Sequence, residues 1–206
     1  MQILYQDRHL LVIDKPSDLL SAPGSLDDCV TWRLEKKFPF VGLIHRLDQG
    51  TSGVMVLALN KKAQSNLANQ FQYRETFKIY EAVVHGHLPL TQGHIDLPLI
   101  CDWPNRPRQI VDSEGRQALT HWQCTENLIN ANGQKSSRVT LIPHTGRSHQ
   151  LRVHMQALGH PILGDYFYAR DEALNMAPRL NLHAKQLHLN HPITGRRMHF
   201  NSNAPF

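Results

Sequence analysis

Short apolar runs separated by polar turns dominate the chain and predict a protein built mainly of β-strands. Residues 2–5 and 10–14 lie on either side of a polar turn, which predicts an opening β-hairpin. Residues 54–59 are apolar throughout, and a run of this length predicts a strand that is buried on both faces. The other predicted strands are residues 79–84, 117–125, 138–143, 180–190 and 196–200, of which the last two should form a closing hairpin.

Apolar residues spaced three or four apart predict three helices between these strands. The first covers residues 31–38, and the second covers residues 60–73, with Asn60 as its capping residue. The third covers residues 148–158 and should stop at Gly159, because glycine commonly ends a helix.

The order of these elements predicts a single α+β domain over residues 1–206. Residues 86–115 hold many Gly, Pro and charged residues, which predicts a long irregular loop. The chain shows no internal repeat and no low-complexity linker. We therefore expect a mixed, largely antiparallel sheet flanked by helices and loops.

Composition supports a folded protein and disfavours a membrane or secreted location. Hydrophobic residues make up 41% of the 206 residues and charged residues 19%, which is unlike a disordered chain. No apolar run reaches the roughly 18 residues that a membrane helix needs, and the N-terminus lacks a basic segment followed by an apolar one. Three cysteines without close spacing, Cys29, Cys101 and Cys124, indicate neither a disulfide framework nor a cysteine zinc cluster. We expect a cytoplasmic protein.

The charge of the chain points weakly towards nucleic acid. Twenty-two Lys and Arg against 17 Asp and Glu give a net charge of +5, and 14 histidines could add to it near an anionic partner. A charge of this size is equally typical of ordinary enzymes with a solvated basic surface.

Asp48 is the first candidate for chemistry. It lies between the apolar Leu47 and a glycine-rich loop, where a rigid scaffold can hold a side chain towards a cleft. A carboxylate in this position can instead cap the turn by accepting hydrogen bonds from backbone amides near Thr51 and Ser52. Basic side chains accompany it, with His45 and Arg46 directly upstream.

Residues 45–53, HRLDQGTSG, resemble the active-site signature of the RluA family of pseudouridine synthases. Residues 96–107 resemble one member of that family more closely than the others. Four further blocks agree with the family in order, namely residues 3–16, 78–82, 145–154 and 158–165. Together the blocks span nearly the whole chain, which makes coincidence implausible.

The resemblance implies a pseudouridine-synthase-like catalytic domain that isomerises uridine in RNA without cofactor or metal. Asp48 would be the nucleophile, and Arg152 would pair with it and keep it ionised. Tyr80 matches the tyrosine that stacks on the target base. Arg46 matches an arginine thought to fill the space left when the target nucleotide flips out of the RNA, although a phosphate contact is an alternative role.

The resemblance also implies RNA partners. We expect large-subunit ribosomal RNA as a substrate and a tRNA anticodon stem-loop as a second one, with no membrane partner and a monomeric protein. The residues expected to contact RNA are His45, Arg46, Arg106, Arg108 and Arg147. Because the chain begins directly at its first predicted strand, we expect no separate N-terminal RNA-binding domain. Asp18 stands where the family often has glycine, so the local turn is expected to differ.

Two other functions remain as alternatives at this stage. One is a catalytically silent RNA-binding module, which would require loss of the nucleophile, whereas Asp48 is present. The other is a metal-dependent hydrolase built on histidines. Its signature needs two histidines four residues apart, but His149 and His154 are five apart, as are His183 and His188. We therefore expect no metal site.

Overall fold

The computed structural model describes residues 1–24, 27–89 and 91–206. Its strands are β1 Gln2–Gln6, β2 Leu10–Lys15, β3 Gly42–Leu43, β4 Ser52–Ala58, β5 Phe77–His85, β6 Gln92–Asp96, β7 Leu99–Cys101, β8 Gln109–Val111, β9 Leu119–Ile129, β10 Lys135–Pro143, β11 Leu182–Asn190 and β12 Arg197–Asn201. Its helices are α1 Val30–Glu35, α2 Lys61–Gln72, α3 Gln150–Ala157 and α4 Asp171–Asn175, with a 3₁₀ turn at Trp103–Asn105. The chain divides into two compact units, residues 1–78 with 183–205 and residues 79–182 with 206.

The first unit is built on a mixed sheet around β4. Strands β1 and β2 form the predicted opening hairpin, and β2 pairs antiparallel with β4. On the other side of β4, β11 pairs with its start in parallel and β3 pairs with its end. Strands β11 and β12 form the predicted closing hairpin. All seven residues of β4 are buried, which confirms the prediction of a strand covered on both faces.

Helix α2 covers one face of this sheet. The Asn60 side chain accepts a hydrogen bond from the Ala63 backbone N–H at 3.0 Å, which confirms the predicted N-cap. Ala63 and Leu67 are fully buried and join the buried side chains of β2 and β4 in one hydrophobic cluster. The apolar stripe of α2 thus holds the sheet that carries the residues around Asp48.

Gly53, at the end of the glycine-rich loop that follows Asp48, occupies a position that only glycine fits. Its φ is +113°, and a Cβ atom there would overlap the backbone of Ala184 on β11. The two backbones approach this closely because β4 and β11 pair in register at Gly53 and Ala184. Any larger residue would separate the strands at the end of the loop that carries Asp48.

The second unit is built on an antiparallel sheet in the order β5, β10, β9 and β6. Strands β9 and β10 form a long hairpin whose turn contains Gly133 with φ +78°, a conformation that is typical of an Asn-Gly turn. Helix α3 packs Leu151 and Met155 against the inward-facing side chains of β5 and β10. The strand pairings within the two units confirm an α+β protein with mixed, largely antiparallel pairing.

The prediction of an irregular loop over residues 86–115 is wrong. This segment contains β6, the short hairpin of β7 with β8, and the 3₁₀ turn, whereas Leu90 lies outside the described residues. Strand β6 could not be predicted from its sequence, because Ile95 is its only buried residue and the strand lacks an apolar pattern. Strands β7 and β8 have three residues each, which is shorter than any run that sequence periodicity can detect.

Two smaller differences concern helices and turns. Helix α1 ends at Glu35, short of the predicted residue 38, and Pro39 disfavours a helical conformation at Phe38. Asp18 has φ +62°, so its backbone adopts the left-handed conformation that glycine favours and that aspartate tolerates better than most residues.

Among the described residues, no helix is long and apolar enough to cross a membrane. The prediction of one catalytic domain over residues 1–206 stays a prediction.

Candidate active site

Asp48 lies on the loop between β3 and β4 in the first unit. Its side chain is half-buried, while Leu47 is buried and Arg46 is exposed. The Thr51 N–H donates to the Asp48 carbonyl at 3.1 Å and closes a tight turn directly before β4. A partly covered carboxylate on such a turn remains accessible to a ligand while its backbone is fixed.

Lys15 anchors this loop, and its role was missed in the sequence. Its side chain is fully buried at the end of β2. The ammonium donates to the carbonyls of Leu19 at 2.7 Å, Pro16 at 2.9 Å and Gln49 at 3.0 Å. A buried cation satisfied by carbonyls in this way fixes the backbone of the residue that follows Asp48. A lysine ending an apolar run was the signal that could have revealed it.

Two serines hold the loop on both sides of Asp48. Ser21 Oγ donates to the Leu47 carbonyl at 2.6 Å and accepts from the Leu47 N–H at 3.1 Å. Ser17 Oγ donates to the Gly50 carbonyl at 2.9 Å. With Lys15, they fix the residues before and after Asp48, so the position of its side chain is set by a rigid backbone. We call Lys15, Ser17 and Ser21 the loop clamp.

His45 lies behind the loop as a neutral ring. It stacks on Phe71 of α2, with ring centroids 4.6 Å apart, and its Nε2 accepts from the Val56 N–H at 3.1 Å. Desolvation, with a smaller contribution from the charge of Lys78, lowers the pKa of His45 to about 3. Any contact of His45 with RNA would therefore be made by an uncharged imidazole. Its predicted RNA contact stays a prediction.

Arg152 lies in the second unit, on helix α3, and is 5% exposed. Its Nε and Nη2 donate to the two carboxylate oxygens of Asp165 at 2.8 and 2.7 Å. Asp165 is fully buried and also accepts from the Phe167 and Tyr168 N–H groups at 3.0 and 3.2 Å. The fork of a planar guanidinium on a fixed carboxylate sets the position of Arg152.

Sequence reasoning missed Asp165, although it ends one of the family-like blocks. It follows Gly164, whose φ is +67° and where a Cβ atom would overlap the backbone of Arg179. Only glycine fits at this close approach, so the Gly-Asp pair directs the carboxylate into the interior. A Gly-Asp step looks like an ordinary turn in a sequence, which hides its buried partner.

The residue before helix α3, His149, has an unusual backbone conformation. Its φ is +53°, a left-handed value that is uncommon for a residue other than glycine. Its Nδ1 lies 2.7 Å from the Tyr168 hydroxyl, and its ring stacks on Phe167 at 5.6 Å. These contacts hold the start of the helix that carries Arg152 against the turn that carries Asp165.

Tyr80 lies on β5 in the second unit. It pairs with Leu141 of β10, and it belongs to the row of β5 that includes Ala82 and Val84. Those two residues are fully buried, whereas Tyr80 is half-buried and packs at the edge of their cluster. One part of the ring is therefore fixed by the core while another part is accessible.

The three other predicted RNA-contacting arginines differ in their surroundings. Arg106 is exposed and lies over the ring of Trp103, with 4.6 Å between the guanidinium carbon and the ring centroid. Arg108 donates to the Phe167 carbonyl and lies over the ring of Tyr168. Arg147 Nε donates to the Gln117 carbonyl at 3.0 Å. Arg106 is thus the most accessible of the three.

Asp48 and Arg152 lie in different units, so their predicted ion pair stays a prediction. Within residues 1–24, 27–89 and 91–206, no group of three or more His, Cys, Asp or Glu side chains could hold a metal ion. The histidines weighed as metal ligands have other contacts. His154 bonds to Thr120 and to the Leu97 carbonyl, and His183 lies 2.8 Å from Ser52 Oγ.

Comparisons with known proteins agree with these features. A family model described as RNA pseudouridylate synthase matches residues 9–157. The "Dual-specificity RNA pseudouridine synthase RluA" of Yersinia pestis is 54% identical and covers 100% of both chains. The protein of that name from Escherichia coli is 52% identical over 99% of this chain and 93% of its own.

A solved structure also matches. "Human RNA Pseudouridylate Synthase Domain Containing 1" superimposes with a TM-score of 0.85 at 31% identity, covering 100% of this chain and 84% of the human one. These matches confirm the resemblance that the sequence blocks indicated. The chain belongs to the RluA family of RNA pseudouridine synthases, isomerases that convert uridine to pseudouridine in RNA.

Proposed function

We propose that this chain isomerises specific uridines of large-subunit ribosomal RNA and of a tRNA anticodon stem-loop, with Asp48 as the nucleophile. The observation that carries the proposal is the half-buried carboxylate of Asp48 on a loop whose neighbouring residues are held by the loop clamp. The names of the bacterial relatives, which describe dual-specificity RNA enzymes, support two RNA substrates.

The reaction breaks the bond between uracil N1 and the ribose and forms a bond from uracil C5 to the same ribose carbon. The proton on C5 leaves and N1 gains one. Substrate and product therefore contain the same atoms, and the reaction needs no redox partner. Asp48 acts either by adding to the uracil ring or by assisting departure of the base from the sugar. In both cases the carboxylate must be ionised and fixed in place.

Other residues take their proposed roles from the family resemblance. Arg152 is the cation that keeps Asp48 ionised, and Tyr80 stacks on the flipped uracil. Arg46 occupies the space that the target base leaves, a role that suits an exposed arginine two residues from Asp48. Arg106, Arg108, Arg147 and His45 contribute to RNA contact. We further propose that the protein acts in the cytoplasm as a monomer.

Asp48→Asn tests this function. It keeps the size of the side chain but removes its charge and its nucleophilic oxygen pair, so we expect no measurable pseudouridine in unmodified ribosomal RNA transcripts. RNA affinity should stay within about threefold. This corresponds to a change in binding free energy of less than about 1 kcal/mol, because a tenfold change in Kd is about 1.4 kcal/mol. The measurement combines pseudouridine mapping with filter binding.

Asp27→Asn is the control, because this exposed aspartate precedes α1 and lies outside the loop clamp. It should convert uridine at the rate of the unsubstituted chain. Turnover by Asp48→Asn would refute the nucleophile, whereas an unsubstituted chain that forms no pseudouridine in either RNA would refute the proposed substrates.

A further inference from the structure

A large exposed aromatic ring lies in the second unit, outside the residues that the reaction uses. Trp103 opens the 3₁₀ turn between β7 and β8 and is 65% exposed. Tryptophan is enriched at contact surfaces, because its ring can bury a large apolar area while its N–H can still form a hydrogen bond.

Arg106 covers part of this ring. Its guanidinium carbon lies 4.6 Å from the ring centroid, within the range of a cation–π contact. Trp103 remains about two-thirds exposed although a guanidinium lies over its ring, so much of this residue is accessible to a ligand. An indole with a cation beside it offers a flat surface for a base and a positive charge for a phosphate.

The backbone holds this turn in one conformation. The Asp102 N–H donates to the Arg108 carbonyl, and the Arg108 N–H donates to the Asn105 carbonyl, both at 3.0 Å. Asn105 bonds back to Asp102 through its backbone N–H and through its side-chain amide, again at 3.0 Å. The ring therefore projects from a preformed loop, which reduces the entropy that binding must remove.

The same loop is attached to the turn that carries Asp165. Arg108 donates to the Phe167 carbonyl, and the Gln109 N–H donates to the Tyr168 hydroxyl at 2.8 Å. The Tyr168 N–H in turn donates to Asp165, the partner of Arg152. Trp103 is thus connected through a short series of hydrogen bonds to the ion pair of Arg152.

We propose that Trp103, with Arg106 beside it, is a stacking platform for an unpaired nucleobase of the RNA substrate other than the target uridine. This inference rests on the proposed function, because it assumes that the partner is RNA. A protein partner would use the same indole together with the exposed side chains of Ile110 and Val111 on β8. The guanidinium beside the ring and the net charge of +5 favour RNA.

The test compares Trp103→Ala with Trp103→Phe by binding and by turnover, using an unmodified tRNA anticodon stem-loop and a ribosomal RNA transcript. Loss of one stacked base should raise Kd and KM about tenfold in Trp103→Ala. The value of kcat at saturating RNA should stay within about twofold, because the platform does not touch the reacting atoms. Trp103→Phe should recover most of the affinity.

Two further readouts identify a base as the ligand. The dependence of log Kd on log salt should keep its slope in Trp103→Ala, since no phosphate contact is removed. At one unpaired position of the stem-loop, an abasic nucleotide should weaken binding to the unsubstituted chain and cause no further loss in Trp103→Ala.

Trp32→Ala is the matched control. Trp32 is also an exposed indole, with the Lys36 ammonium 3.1 Å from its ring centroid, but it belongs to the first unit. It should leave Kd and KM unchanged. The proposal is overturned if Trp103→Ala binds both RNAs as tightly as the unsubstituted chain, if Trp32→Ala loses as much affinity, or if no abasic position is coupled to Trp103.

This outcome can be separated from failure of the proposed function. If the unsubstituted chain binds RNA without forming pseudouridine, the proposed function fails, while the Kd comparison still decides the role of Trp103. If the unsubstituted chain does not bind either RNA, both proposals fail.

Discussion

Two arginine–aspartate pairs in this protein have the same geometry and opposite surroundings. Arg152 meets Asp165 through two hydrogen bonds of 2.7 and 2.8 Å in the interior, and Arg33 meets Asp28 through two of 2.6 and 2.7 Å at the surface. Water screens the exposed pair, so its attraction is weak. The buried pair is not screened, and loss of one partner would leave an uncompensated charge in the interior.

We predict that Asp165→Asn slows pseudouridine formation at least about 100-fold while KM for RNA changes less than about threefold. An asparagine keeps the shape of the side chain, but one of its terminal atoms is an amide nitrogen that cannot accept from Arg152. The guanidinium would therefore leave its present position, and the unfolding free energy should fall by about 2 kcal/mol or more. Single-turnover kinetics and urea denaturation measure the two effects.

Asp28→Asn is the matched control for this experiment. Its guanidinium partner has the same fork, but both side chains are about half exposed. It should leave turnover and the denaturation midpoint unchanged. A normal kcat in folded Asp165→Asn would show that Asp165 does not position Arg152. Asp165→Glu offers a second check, since it restores the charge and should recover part of kcat if the ion pair is what matters.

At the scale of elements, the loop before β4 depends on strand β2 and the segment after it. Lys15 at the end of β2 reaches the Gln49 carbonyl, and Ser17 and Ser21 reach the carbonyls of Gly50 and Leu47. The three bonds to the loop all end on backbone carbonyls. The opening hairpin therefore contributes to the candidate site by fixing the loop that carries Asp48, the proposed nucleophile.

We predict that Lys15→Met lowers the unfolding free energy by about 3 kcal/mol, because the three carbonyls that Lys15 satisfies would lose a buried donor. Methionine retains the length and the apolar stem of lysine. The folded fraction should turn over at least about tenfold more slowly, since the loop around Asp48 loses an anchor. Urea denaturation followed by single-turnover assays under conditions where the variant is folded separates the two effects.

Lys36→Met is the control for Lys15→Met, since Lys36 is exposed and lies over Trp32. It should leave turnover and stability close to those of the unsubstituted chain. If Lys15→Met lost stability but kept its full single-turnover rate, the loop clamp would be structural only and would not position Asp48.

Local sequence patterns predicted part of this structure, and there is a physical reason why they could not predict the rest. The buried strand β4 and the cap of α2 depend on neighbouring residues, so they could be predicted. Asp48 and Arg152 were predicted through family motifs, and their catalytic roles stay predictions. Lys15 and Asp165 act on partners 34 and 13 residues away, and only the folded chain brings those segments together. Strand β6 likewise exists because β9 offers it a partner, not because of its own pattern.

At the scale of the whole molecule, several groups link stability to pH in the same direction. Besides His45, desolvation lowers the pKa of His154 and of His188. Asp7 has its pKa lowered to about 2, because hydrogen bonds from the N–H groups of Leu10 and His9 and from His191 outweigh the opposing effect of its burial. Each of these groups binds protons less readily in the folded chain than in the unfolded one, so acid favours unfolding.

The two groups with the largest shifts act in different pH windows. His45 has an ordinary pKa of 6.5 and a folded value of about 3, so its contribution to stability is complete above pH 6.5 and declines as the pH falls from there. Asp7 has an ordinary value of 3.8 and a folded value of about 2, so its contribution declines only below about pH 4. The first acid-induced loss should therefore come from histidine.

We predict that the unfolding free energy falls by about 2 kcal/mol between about pH 7 and pH 5 through His45 alone, at about 1.4 kcal/mol for each pH unit below its ordinary pKa. His45→Gln should remove most of this loss, because glutamine can still accept from the Val56 N–H but does not titrate. His121→Gln, which replaces an exposed histidine, should keep the decline of the unsubstituted chain. Urea denaturation at a series of pH values measures all three. If His45→Gln and the unsubstituted chain lost stability in parallel over this range, protonation of His45 could not be what destabilises the fold in mild acid.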